Sequence, residues 1–244
     1  MDLARVAILE ASGRAALPAL REERVGDWTL RVSGGETKRV NSANPLVANA
    51  SVLPAMAAAE RLYAAHALPC RFRLTPLADS HADAMLDARG FAAIDHSLTM
   101  VAPVSSHPVE PGVRLAARAD ADWLARVEPL SGRSPAAAAV QAKLLAAIPG
   151  PLALAAIDED GQTVASGYAS IGGGRAQLSD IVVAPHARGR GLGRRLVAGL
   201  LGWAREQRCG EAMLQVLAAN TVARSLYRSL GFVDVYPYHY RVAR

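Results

Sequence analysis

Ile181-Val182-Val183-Ala184-Pro185-His186-Ala187-Arg188-Gly189-Arg190-Gly191-Leu192-Gly193-Arg194-Arg195-Leu196 is the stretch whose reading decides the fold. An apolar run suited to a strand stops at Pro185 and passes through a turn with glycine at 189, 191 and 193. It then enters a segment where Leu192, Leu196, Val197, Leu200, Leu201 and Ala204 recur on one helical face. Glycine lets the backbone approach an anion with no Cβ in the way. The N–H groups of the first helical turn, which have no partner within the helix, point toward such an anion, and the helix dipole favours it. Arg188 and Arg190 add charge-assisted donors of the kind a diphosphate accepts. The spacing is neither that of a P-loop, since no Gly-Lys-Ser/Thr ending follows, nor the Gly-x-Gly-x-x-Gly of a dinucleotide site. A merely solvated helix start is the plain alternative. The position between an apolar strand and an amphipathic helix argues against it.

Working outward, the pattern predicts a strand at Val113–Leu115 and a helix over Ala119–Val127 with Trp123 on its apolar side. A second helix is predicted from Pro135 to about Ile148, stopped by Pro149-Gly150-Pro151. Strands at Leu152–Ile157, Thr163–Ile171 and Gln177–Val183 follow, separated by Asp158-Glu159-Asp160-Gly161 and Gly172-Gly173-Gly174. After the helix at Leu192–Gln207 come a strand at Glu211–Leu217, a helix at Asn220–Leu230 closed by Gly231, and an extended segment at Tyr236–Val242. Upstream, Trp28–Val32 and Thr37–Val40 read as a hairpin around Ser33-Gly34-Gly35-Glu36, and a long helix is predicted over Val47–His66. A strand at Arg71–Thr75, a helix at Asp79–Ala88 and a strand at Ala92–Val101 complete that half. The fold class is α/β (α+β), a mixed sheet flanked by helices.

His107-Pro108-Val109-Glu110-Pro111-Gly112 reads as the interdomain linker, giving domains 1–107 and 113–244. Phe72-Arg73-Leu74, a helix and Gly90-Phe91 parallel Leu214-Gln215-Val216, a helix and Gly231-Phe232. This predicts a duplicated fold with a diverged first copy, against chance likeness of two strand-helix units.

The 244 residues, 51% hydrophobic and 20% charged, suffice for a sizeable core. The net charge of +5 comes from scattered arginines without a continuous basic face or aromatic platform, so no nucleic-acid partner is expected. No apolar run reaches the roughly 18 residues of a membrane span. The segment Met1–Arg5 has no secretory pattern, and two lone cysteines, Cys70 and Cys209, suit a cytoplasmic protein with unpaired thiols. No cluster has metal-ligand spacing, and no metal is expected.

The Arg188-Gly189-Arg190-Gly191-Leu192-Gly193 segment resembles the Arg/Gln-x-x-Gly-x-Gly/Ala pattern of the GCN5-related N-acetyltransferase superfamily at every defined position. A second signature is similar as well: Leu214-Gln215-Val216, Asn220, Ala223, Leu226-Tyr227 and Gly231-Phe232 in the family's order. The resemblance spans about residues 113–244. It implies that sheet type, mostly antiparallel, and acetyl-CoA as cosubstrate. The pyrophosphate would lie on Arg188, Gly189, Arg190, Gly191, Leu192, Gly193 and Arg194, with the pantetheine arm along Ile181, Val182 and Val183. The region upstream is similar to a degenerate unit of the same kind. It has Asn41-Ser42-Ala43-Asn44-Pro45 where a phosphate loop would be, and Leu86 at the position of Tyr227.

By the same resemblance, Tyr227 is the acid that protonates the departing thiolate, the alternative being a core tyrosine. Asn220 either bonds pantetheine or caps its own helix. Asp180 is the candidate base: it shares side-chain parity with Leu178 and Val182, and a buried carboxylate there would suit proton removal, while a structural carboxylate is the competing reading. His186 and His239 are weaker bases. The Tyr236–Tyr240 stretch either walls the acceptor or completes the core. The expected activity is transfer of an acetyl group to a primary amine by direct attack in a ternary complex. The acceptor is a small molecule, with a peptide or protein amine also open; a non-catalytic acyl-CoA sensor is the alternative.

Overall fold

The computed structural model describes residues 1–104 and 110–243. The first half comprises α1 (Leu3–Ala16), β1 (Arg21–Val25), β2 (Trp28–Val32), a 3-10 turn (Lys38–Val40), β3 (Ala43–Pro45), α2 (Leu53–Ala65), β4 (Arg71–Leu74), α3 (Ala82–Ala88) and β5 (Ala92–Pro103). The second comprises β6 (Arg114–Ala116), α4 (Ala121–Ser131), α5 (Pro135–Ala146), β7 (Leu152–Glu159), β8 (Gln162–Gly172), β9 (Arg175–Val183), a 3-10 turn (Pro185–Ala187), α6 (Leu192–Glu206), β10 (Glu211–Leu217), α7 (Thr221–Arg228) and β11 (Val233–Val242). One eleven-stranded sheet runs β1-β2-β3-β4-β11-β5-β10-β9-β8-β7-β6. It is antiparallel except where β3 meets β4 and β9 meets β10.

The order contains a crossing of the two halves. β5 lies between β10 and β11, pairing with both, and β11 in turn pairs with β4. Each half thus lends its last strand to the other's sheet. Of the expected linker, His107, Pro108 and Val109 lie outside the described residues.

Alternation along the strands sorts the core into two faces. Ala153, Ala155, Ile157, Val164 and Leu178 pack with Leu196, Val197, Leu200 and Leu201 of α6. Leu154 and Tyr168 face the other way, onto Trp123 of α4 and Leu145 of α5. α1 covers β10 and β11 through Val6 and Leu9 against Met213 and Tyr236. A separate cluster joins Trp28, Leu30 and Phe72 to Met56, Ala59 and Tyr63 of α2.

Two expectations are corrected, and one helix is added to them. The hairpin containing Trp28–Val32 is formed with β1, register Val25↔Trp28, and turns at Gly26 (φ 57°) and Asp27. β1 is exposed along nearly its whole length, so it has no apolar alternation to read. Residues 33–37 are instead a loop held by Asn41, whose Oδ1 accepts from the N–H groups of Ser33 and Gly34 at 2.9 Å each. The helix expected from Val47 starts at Leu53, with Pro54 in its first turn. Finally, α1 was not foreseen, because its inward face carries Glu10 where a heptad would carry a hydrophobe.

Glu10 is 4% exposed and ion-paired with Arg73, itself 3% exposed, and it accepts from the Tyr236 hydroxyl at 2.6 Å. The guanidinium of Arg73 also sits 3.9 Å from the Tyr238 ring centroid. This knot ties α1 to β4 and β11. Burial pushes the Glu10 carboxyl up, but the Arg73 charge and the bonds from Arg73 and Tyr236 outweigh it and hold the group below its ordinary value. A carboxylate depressed in the folded state contributes stability above its unfolded pKa, and that contribution is lost as pH falls through the folded value. Glu10→Ala is expected to cost about 3–5 kcal/mol, because Arg73 is left buried and unpaired. Urea unfolding at pH 7 and in acid should show the deficit shrinking as pH falls below about 4; a constant deficit would contradict this origin.

Candidate active site

β9 and β10 pair only over Arg175–Gln177 and Glu211–Met213. Beyond that point β10 continues along β5, and β9 has no ladder partner on its β10 side among the described residues. The backbone from Leu178 to Val183 therefore presents a free edge inside the sheet. On its other side the ladder passes from Tyr168↔Ser179 to Ser166↔Val182, leaving Gly167 opposite both Asp180 and Ile181. That is a β-bulge, with Asp180 at φ 55°. The bulge packs closely on Gly167, where a Cβ would lie 2.5 Å from Ile181 Cδ1 and 3.3 Å from Ile181 Cα.

The bulge separates Asp180 from the face of Leu178, while Asp180 and Val182 still line one cavity. The extra residue turns its side chain away from the face of Leu178, toward α5. The Asp180 carboxylate accepts from Arg133 at 2.7 Å and from the Gln141 amide at 3.2 Å, and its side chain is 32% exposed. It is therefore not a buried, isolated carboxylate. A cavity of about 460 Å³ lies between α4, α5 and the bulge, lined by Asp180, Ile181 and Val182 with Trp123, Val127 and Leu145. A second recess of about 420 Å³ also reaches Asp180 and is lined from both halves, by Glu36, Lys38 and Arg39 and by Gln215, Tyr238 and Tyr240. Arg39 spans the opening, donating to Gln215 at 2.6 Å and to Ser179 Oγ at 3.4 Å. Arg133, Gln141 and Arg39 were not foreseen. They are single polar residues on a helix and in loops, and no local pattern marks them.

The free edge leads directly into the glycine turn. Gly189 and Gly191 both have φ 76°, a conformation glycine adopts without penalty, and nothing lies within 4 Å of where a Cβ would stand. Gly191 is the N-cap of α6 and offers no side chain to its N–H groups, which stay available to a ligand. Leu192 is buried in the core. At Gly193 a Cβ would meet Leu226 at 3.0 Å and Val183 at 3.5 Å, so this glycine lets α7 and the end of β9 close on the turn. The arginines are partly committed. Arg188 Nε donates to the Val183 carbonyl at 3.2 Å, its outer nitrogens having no partner among the described residues, and Arg194 donates to Ser229 Oγ at 2.6 Å. Arg190 forms a forked pair with Glu159 at 2.8 and 2.9 Å, an exposed contact that is cheap to exchange.

Tyr227 is 8% exposed and packs edge-on against Phe232, 5.8 Å between centroids. Burial pushes its hydroxyl up to about 12. It does not line the 460 Å³ cavity but lies on the α6 face, with Leu226 beside it against Gly193. Asn220 caps α7, accepting from the Ala223 N–H at 3.1 Å. His186 is exposed in the turn after β9. His239 is held by Asp83 at 2.8 Å and stacked on His96. In the terminal strand Tyr236 joins the core, while Tyr238 and Tyr240 line the second recess. Among the described residues no group of three or more His, Cys, Asp or Glu is placed to hold a metal ion, and no helix is long and apolar enough to cross a membrane.

A family model described as "Probable histone acetyltransferase Rv0428c C-terminal" matches residues 4–241. The chain belongs to this family. The uncharacterized N-acetyltransferase YobR of Bacillus subtilis is 27% identical over 245 residues, covering 97% of this chain and 98% of the relative. Streptothricin acetyltransferase of Streptomyces lavendulae is 41% identical over 58 residues, covering 24% of this chain and 31% of that one. A GCN5-related N-acetyltransferase from Kribbella flavida superposes with TM-score 0.68 at 16% identity, over 99% of this chain and 95% of its own. The fold is that of the GCN5-related N-acetyltransferases, with the mixed sheet flanked by helices. Gly191→Val is expected to weaken acetyl-CoA binding at least tenfold by calorimetry while the chain stays folded, because a β-branched residue is forced off φ 76° at an otherwise open position. Unchanged affinity would mean that the turn does not hold the cosubstrate.

Proposed function

We propose that the protein transfers the acetyl group of acetyl-CoA to the primary amine of a small molecule, by direct attack in a ternary complex. The observation that carries this reading is the free edge of β9 running from a carboxylate at its bulge into the glycine and arginine turn. Pantetheine would pair with the edge at Ile181–Val183 as an added strand does. The diphosphate would sit on the N–H groups of residues 189–194 with Arg188.

Asp180 receives the ammonium of the acceptor and takes its proton, directly or through water. The amine lone pair then adds to the thioester carbonyl, and a backbone N–H of the open edge stabilises the oxyanion. Collapse breaks the C–S bond as the added nitrogen gives up its second proton to solvent; the thiolate takes the proton of Tyr227, whose hydroxyl is protonated throughout the neutral range, and the tyrosinate is reprotonated from solvent. No covalent enzyme intermediate is needed.

The first half is read as a degenerate copy that walls the acceptor side. Two correspondences support the duplication. Phe91 N–H bonds the Leu86 carbonyl at 3.1 Å, as Phe232 N–H bonds that of Tyr227 at 3.1 Å. Gly90 and Gly231 have φ 82° and 85°. Leu86 stands where Tyr227 does and has no proton to give.

Acetyl-CoA-dependent thiol release across a panel of amines tests the activity. Tyr227→Phe is expected to lower kcat about 100-fold or more with little change in acetyl-CoA affinity. An unchanged kcat would return Tyr227 to the core, and tight acetyl-CoA binding with no turnover on any amine would favour a sensor.

A further inference from the structure

A cavity of about 20 Å³ lies between the C-terminal half of α1 and strands β2, β3, β4 and β10, and its lining is crowded with positive charge: Arg14, Arg31, Arg39 and Arg73, with Glu10 and Asn44. Two of these guanidiniums have carboxylates of their own. Arg73 pairs with Glu10, and Arg31 with Glu22 at 2.9 Å. The other two do not. Arg39 bonds the neutral Gln215 and Ser179, and Arg14 Nη1 is buried with no partner among the described residues. Arg73 Nε is likewise buried and unpartnered, on a residue only 3% exposed. Glu10 is the one carboxylate in the lining, and its oxygens are engaged by Arg73 and Tyr236. The carbonyls that end α1 do not supply the missing acceptor, since Leu17 O takes Arg31 at 2.5 Å and Ala16 O takes Ser170 at 2.7 Å. Burial pushes the Arg14 guanidinium below its ordinary value, and Glu10 does not make up the difference because Arg73 opposes it. An arginine is not relieved by losing its proton, so a buried excess of guanidinium is a standing cost that an anion would remove.

We propose that this cavity is a binding site for one halide ion, chloride or bromide, held among Arg14, Arg39 and Arg73. The volume decides the class of anion. About 20 Å³ takes a single species near the size of a water, for which roughly 10–15 Å³ suffices, and a phosphate, a sulfate or the carboxylate of a larger molecule does not fit. A water matches in size but adds no charge, and it would bring two donors to a lining made largely of donors. The inference is independent of the acetyl-transfer reading. It gives the junction of the two halves a ligand of its own, since α1, β2, β3 and β4 come from the first half and β10 from the second.

The test is thermal unfolding of the full chain while sodium gluconate is replaced stepwise by sodium chloride at constant ionic strength, so that general screening stays fixed. The midpoint should rise and then saturate, by about 2–4 °C once chloride exceeds its dissociation constant roughly tenfold, and bromide should act in the same way. Sulfate in place of chloride should give no saturable rise. Arg14→Gln removes the unpartnered charge, and Arg14, unlike Arg39, does not line the recess beside Asp180. This variant should erase the difference between chloride and gluconate. Equal midpoints in the two salts, an equal saturable rise in sulfate, or a chloride dependence that survives Arg14→Gln would each overturn the site and leave the cavity to water. Should Arg14→Gln not fold, crystals of the unaltered chain grown in sodium bromide decide the matter. An anomalous peak bordered by Arg14 and Arg73 supports the site, and no peak there overturns it.

Discussion

β10 pairs with β5 along its whole length, Glu211–Leu217, while β9 leaves β10 after three paired residues. The pairing that is lost there makes room for the site. A fully paired β9 would offer no N–H or carbonyl to a ligand, since every backbone group would already be satisfied. Nor would a cleft lie between the face of α6 and that of α4 and α5. The bulge at Asp180 depends on the same relaxation, because an extra residue is tolerated where a strand has one neighbour instead of two. The free edge, the carboxylate and the glycine turn thus follow one another along a single strand within a few residues.

The first half holds this geometry from the other side. Arg39 reaches the splay and fixes Gln215 on β10 and Ser179 on β9 at once, so the separation of the two strands is set by a residue more than a hundred positions away. The knot of Glu10, Arg73 and Tyr236 places β11 against β4, and with it Tyr238 and Tyr240 at the recess. Buried ion pairs of this kind add little net stability compared with hydrophobes. Their geometric demand is strict, however, and fixes register here.

Most elements of the second half were legible in the sequence because their signals are local. Leu192–Ala204 alternates at helical spacing, Asp160 and Gly161 mark a hairpin, and Arg188–Gly193 is contiguous. What could not be read depends on long-range contacts. β1 is an edge strand with no apolar pattern. α1 hides behind an inward glutamate whose partner lies on β4. That Asp180 leaves the face of Leu178 was not legible, because a bulge is set by the neighbouring strand. Arg133 and Arg39 act at the site only through the tertiary fold, and nothing in their neighbourhoods distinguishes them from solvated arginines.

The crossing of β5 and β11 also bears on how the chain is made. A chain growing from its N-terminus exposes β4 and β5 long before β10 and β11 exist, and β4 must wait for β11 on one side while β5 waits for partners on both. Its first half cannot close its sheet during synthesis, although domains commonly fold as they emerge. Two strand edges stay open until β11 has been made, the situation in which nascent chains depend most on chaperones and on slow, long-range assembly. Sharing strands between halves gives the site its wedge, and its cost is borne in time, on the ribosome.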